Sequence, residues 1–169
     1  MIAPRHDRYG YVADSSLAAV GNLSSFVLRD TDNDGLWTGM YAASQAFRYA
    51  TTGDPAARAE ALLRYRALHF LFEATTDLPL RFPARSVARV GDPIASGPSD
   101  PFDCKASPHC WRNSTTAPGW VWKADTSSDE VTGHIFCYAV LYRLLQVRDA
   151  VTSPCRVLSY FAPCGPHHD

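Results

Sequence analysis

The run from Val131 to Leu145 constrains this chain more than any other feature of its 169 residues. It is apolar almost all round: Val131, Ile135, Phe136, Tyr138, Ala139, Val140, Leu141, Tyr142, Leu144 and Leu145. A helix with apolar residues on every side is normally covered on every side, so this one belongs in an interior. Its start is marked as well. Ser127 can serve as N-cap, and Glu130 three residues on completes an S-x-x-E capping box.

Two further helices are predicted. The first runs from about Leu36 to Thr51, with Trp37, Met40, Tyr41, Phe47 and Ala50 at helical spacing. Gly53 suits a left-handed stop, Asp54 a cap for the next helix, and Pro55 its first position. The second helix then spans about Pro55 to Glu73, with one stripe of Ala59, Leu62, Leu63, Ala67, Phe70 and Leu71. Another stripe is Tyr65, Leu68 and Phe72, so this helix is sandwiched. The short connection makes the pair an antiparallel αα-hairpin.

Between Thr75 and Lys123 the periodicity is lost. Pro79, Pro83, Pro93, Pro98, Pro101, Pro108 and Pro118 interrupt any helix or central strand. The segment reads as a long Pro-rich loop whose last part, with Trp111, Trp120 and Trp122, is ordered. The organisation expected is a lead-in over 1–29, a helical module over 30–149 containing the loop 75–123, and an unpatterned tail over 150–169. The fold class expected is all-α.

Composition removes several classes of function. Sixteen Lys and Arg against seventeen Asp and Glu leave a formal net charge of -1, with no basic stripe for nucleic acid. No apolar run approaches the roughly 20 residues needed to span a membrane. Arg5, His6, Asp7 and Arg8 near the start leave no apolar core for a signal peptide. The five cysteines form no C-x-x-C pair, and Cys104 and Cys110 could close a local disulfide only in an oxidising compartment. Asn22 and Asn113 open glycosylation sequons that matter only on a secretory route. Compartment and oligomeric state stay open. There is no G-x-S-x-G, P-loop, G-x-G-x-x-G or H-E-x-x-H, so serine hydrolase, nucleotide and zincin chemistry are set aside and no cofactor is expected.

Two acidic clusters carry the remaining chemistry. Asp30, Asp32 and Asp34 with Gly35 open like an EF-hand loop, but Tyr41 stands where the bidentate Glu belongs, and no metal is assigned. The blander reading is that Asp32 or Asp34 caps the helix. Asp125, Asp129 and Glu130 form the second cluster, with His134 one turn beyond Glu130 on the same face. A His on so apolar a helix is more often a hydrogen-bonded core residue than a catalyst. Separated carboxylate clusters at helix N-termini with tryptophans nearby are what a sugar-cleaving cleft requires, one carboxyl protonated and the other ionised. Arg85, in Phe82-Pro83-Ala84-Arg85-Ser86, could face an anionic ligand or simply solvent.

Two segments resemble a known family. Asp32-Asn33-Asp34-Gly35-Leu36-Trp37-Thr38-Gly39-Met40-Tyr41, with Phe47-Arg48-Tyr49-Ala50 and Thr52-Gly53-Asp54, is one; Trp122-Lys123 with Asp125 through His134 is the other. Together they resemble the six-hairpin (α/α)6 toroid proteins of the glycosidase-like superfamily. The resemblance implies two concentric rings of helices, of which this chain supplies about three, so that it would be a partial toroid. It implies glycosidic-bond cleavage on a carbohydrate substrate, with Asp34, Asp129, Glu130 and His134 as catalytic candidates and Asp34 and Asp129 as the preferred carboxylates. Trp37, Arg85, Trp111 and Trp122 are the substrate-binding candidates. A non-catalytic helical module that binds glycan or a cation is the alternative, and a fragment inactive by itself is a third.

Overall fold

The computed structural model describes residues 4–31, 33–75, 82–93, 111–123 and 126–146. Three helices dominate: α1 (Asp34–Thr52), α2 (Pro55–Glu73) and α3 (Ser128–Leu145). Each ends where the sequence says it should. Gly53 takes the left-handed conformation (φ 67°) and its N–H donates to Tyr49 O at 2.8 Å. Asp54 accepts from Ala56 N with Pro55 behind it, and Ser127 accepts from Glu130 N.

The all-α, partial-toroid expectation is overturned. Among the described residues, seven strands accompany the helices in three small antiparallel sheets, so the fold is mixed α and β. In the segment expected to be a lead-in, β1 (Asp7–Arg8) pairs with β2 (Tyr11–Val12), and β3 (Asp14–Leu17) pairs with β4 (Phe26–Arg29). Within the expected Pro-rich loop, β5 (Val87–Arg89), β6 (Trp111–Asn113) and β7 (Trp120–Lys123) form a sheet in the order β5-β7-β6. The physical reason is length. Strands of two to four residues are too short to display the alternation that marks a strand in sequence. Among the described residues, Pro83, Pro93 and Pro118 sit outside the strands, where they cost the ladders no hydrogen bond. Asp32, Asp125, Cys104, Cys110 and the tail expected over 150–169 lie outside the described residues.

Among the described residues, two of the three buried clusters tie the helices to each other and to the strands. One joins the helices through Ala42, Ala46, Ala61, Leu68, Cys137, Tyr138, Leu141 and Leu145. The other joins the C-terminal half of α2 to the strands through Tyr11, Leu71, Ala74, Ala84, Val87 and Trp122. Tyr11 is locked under α2 by donating its hydroxyl to Ala67 O at 2.6 Å. The first strand pair is also tied to α1, because Val12 N donates to Thr38 Oγ1 at 2.9 Å.

The α1 and α3 helices run side by side in the same direction. Asn33 meets Ser127 at their N-caps, Gly35 meets Glu130, and Gly39 meets Gly133 and Cys137 further along. Glycine makes this approach possible. A Cβ on Gly133 would stand 2.3 Å from Leu36 Cα, and one on Gly35 would stand 2.0 Å from Glu130 Oε1. The all-round cover expected for α3 is not what the described residues show: Phe136 and Tyr142 are nearly half exposed on its outer side.

Candidate functional site

Parallel neighbours bring two helix N-termini, each a positive dipole end, to one place. The chain answers with two buried carboxyl groups. Asp34 is the first residue of α1 and Glu130 the third of α3, and both are fully buried.

Glu130 departs from the capping box in an instructive way. Ser127 Oγ accepts from Glu130 N at 3.1 Å, as the box requires. The Glu130 carboxyl does not turn back to its own helix; it crosses to α1 and accepts from Gly35 N at 2.8 and 3.0 Å, and from Leu36 N. The N-cap of α1, Asn33, makes no side-chain capping bond; its Oδ1 accepts from Ser127 Oγ at 2.6 Å instead. One helix therefore caps the other. Burial pushes Glu130 up to about 8, against the opposing pull of the Gly35 and Leu36 N–H groups and the Arg85 charge.

His134 lies one turn further along α3, its Nε2 3.4 Å from Glu130 Oε1. Its Nδ1 shares a hydrogen bond with the Tyr138 hydroxyl at 3.0 Å, and its ring meets Phe72 edge-on. Burial drives His134 down to about 3, helped by the charge of His69, so it is neutral across the physiological range. The hydroxyl of Tyr138 is pushed well above its ordinary value, again by burial first.

Asp34 is held differently. Its Oδ1 accepts from Thr31 N and Thr31 Oγ1, both at 3.0 Å. Its Oδ2 accepts from Ser86 Oγ at 2.7 Å and from Arg8 Nη2 at 2.5 Å. Arg8 is buried as well, and donates also to Ser86 Oγ and to Val87 O. Burial raises Asp34 to about 6; Arg8 and then Ser86 pull against it, and the Glu130 charge adds to the rise.

The other candidates fall into two groups. Arg85 is half-buried in the loop before β5; its charge acts on Glu130 and its carbonyl accepts from Asp34 N at 3.3 Å. Trp37 stands half exposed on α1, three residues after Asp34. Asp129 is exposed, one residue and so about 100° round α3 from Glu130. Trp122 and Trp111 are buried, Trp122 within the strand–helix core and Trp111 against Ala88 and Val121. Asp30 pairs with Lys123 at 3.0 Å and Asp34 with Arg8, so two acidic residues of the EF-hand-like opening face cations of the chain itself. The structure thus gathers Asp34, Glu130, His134 and Arg85, and leaves Asp129, Trp37, Trp111 and Trp122 outside the gathering. It adds Arg8, Ser86 and Tyr138, which the sequence did not single out. The chain matches no protein-family model, no curated protein and no solved structure.

Proposed function

We propose that the paired N-termini of α1 and α3 are the acid/base centre of an enzyme that cleaves a glycosidic bond. The observation that carries this reading is the divergence of two neighbouring carboxyl groups. With Glu130 at about 8 and Asp34 at about 6, Glu130 holds its proton at neutral pH while Asp34 is ionised beside Arg8. Glycosidic cleavage asks for that division, one carboxyl as acid and one as base or nucleophile. The motif resemblance supplies the substrate class. Trp37 offers a ring face for a sugar, and Arg85 a positive charge for an acidic one. His134, neutral and 3.4 Å from Glu130, is a positioning residue. Because neither carboxyl reaches solvent, turnover requires the two helix ends to part and admit the substrate.

That burial favours a second reading, glycan binding without cleavage. Here Trp37 and Arg85 hold the sugar, and the carboxyls only hold the helices. A glycan panel assayed for new reducing ends separates the two. Cleavage predicts a bell-shaped rate with limbs near pH 6 and 8, and a loss of about 10²- to 10⁴-fold in Glu130→Gln with cooperative unfolding retained. Glycan retention without cleavage, weakened in Trp37→Ala, decides for binding. Neither cleavage nor retention overturns both.

A further inference from the structure

The strands and α2 cover one side of the α1–α3 pair; among the described residues, nothing packs over Met40, Phe47 and Phe136 on the opposite side. On α1 it shows Met40 and Phe47, each half exposed and seven residues, or two turns, apart. On α3 it shows Asp129, Phe136 and Arg143, spaced by seven and all exposed. Glu130, Gly133, His134, Cys137, Tyr138 and Leu141 point the other way, into the protein. The α3 stripe is polarised, with an acid in its first turn, an aromatic ring at its middle and a base in its last turn.

We propose that this face is the seat of a two-fold contact with a second copy of the chain. The charge order selects that occupant. A two-fold axis through the middle of the stripe lays α3 antiparallel to its counterpart, so that Asp129 of each copy meets Arg143 of the other and Phe136 meets Phe136. Such a contact closes on itself and uses one patch twice. A parallel alignment would set like charges against each other, so the same residues that favour one register reject the other. Met40 and Phe47 then add apolar area beside the seam. The contact lies outside the Asp34–Glu130 cluster and stands whether or not the chain cleaves a glycan.

Sedimentation equilibrium on the full chain, from micromolar to several hundred micromolar, tests the proposal. A concentration-dependent dimer is expected. Asp129→Lys and Arg143→Glu should each weaken it by tenfold or more, and the two combined should restore most of the loss, because the swapped pair is again complementary. Phe136→Ser should abolish it. Circular dichroism on each variant separates lost association from lost fold. A wild-type chain that stays monomeric throughout overturns the proposal and assigns the face to another occupant. A dimer indifferent to both charge changes, or a double variant no better than the singles, overturns it equally.

Discussion

Asp34 and Glu130 share one address and differ in company. Both carboxyls are fully buried at the N-terminal end of α1, yet Asp34 rises only to about 6 and Glu130 to about 8. Around Asp34 stand a guanidinium, a serine hydroxyl, and the threonine hydroxyl and backbone N–H. Glu130 is held by backbone N–H groups and faces a neutral imidazole, with the Arg85 charge a smaller pull than those N–H groups. The contrast teaches that burial sets the direction of the shift, while a charged partner sets how far it goes. Partial charges at a helix end hold a carboxyl in place without fully offsetting its desolvation.

Four measurements break or sharpen that contrast. Arg8→Met removes the guanidinium and leaves Asp34 buried without it; a loss of about 3–5 kcal/mol in denaturant unfolding is expected. An unchanged midpoint would mean that Arg8 is not what separates the two carboxyls. Gly35→Ala strikes only the Glu130 side, since the new methyl would stand 2.0 Å from Oε1. Its expected cost is about 3 kcal/mol, read from the same denaturation curves.

The third is a pH dependence. Glu130 binds its proton more tightly folded than unfolded, so stability falls as pH climbs from its ordinary value near 4.5 through about 8. Asp34 contributes the same sign from 3.8 up to about 6. His134 contributes the opposite sign: neutral when folded down to about 3, it costs stability as pH drops below 6.5. As pH climbs above 6.5 towards 8 the contributions of His134 and Asp34 fade, and Glu130 comes to dominate the proton change among the three. A decline of at most about 1.4 kcal/mol per pH unit is expected there. Glu130→Gln should flatten it; a slope that persists in that variant assigns the proton elsewhere. The smallest effect belongs to Ser86→Ala, about 1 kcal/mol for one neutral donor to Asp34. Its further sign is a rise in the Asp34 titration followed by carboxyl carbon NMR.

The sequence was a good guide to the helices because their signals are local. Gly53, Asp54 with Pro55, and Ser127 each work through a neighbour no more than four residues away. The strands left no comparable mark. Each offers too few residues for a period, and β7 finds its partners β5 and β6 across the segment that separates them in sequence. The site was legible in part. Asp34, Glu130 and His134 stand out as polar residues at the start of apolar helices, and Arg85 as a charge in an ordered loop. Arg8 could not be found that way, since nothing around it in the chain announces that its partner is 26 residues on. The capping box misled for a similar reason. It specifies the Ser127 half correctly, but whether the glutamate returns to its own helix depends on what packs beside it, and Gly35 opens the other choice.

The parallel pairing of α1 and α3 also has a consequence for the order in which the chain assembles. The helices α1 and α2 are joined by two residues and can meet at once, whereas Glu130 must find Gly35 across 95 residues. Closing a loop of that length costs about 4 kcal/mol of chain entropy before any contact rewards it. The hairpin is therefore expected to form early, and α3 to dock late with its carboxyl entering a place where the charge is not tolerated. At neutral pH that docking step takes a proton from solvent, so alkaline conditions should slow the last stage of folding and leave the hairpin untouched.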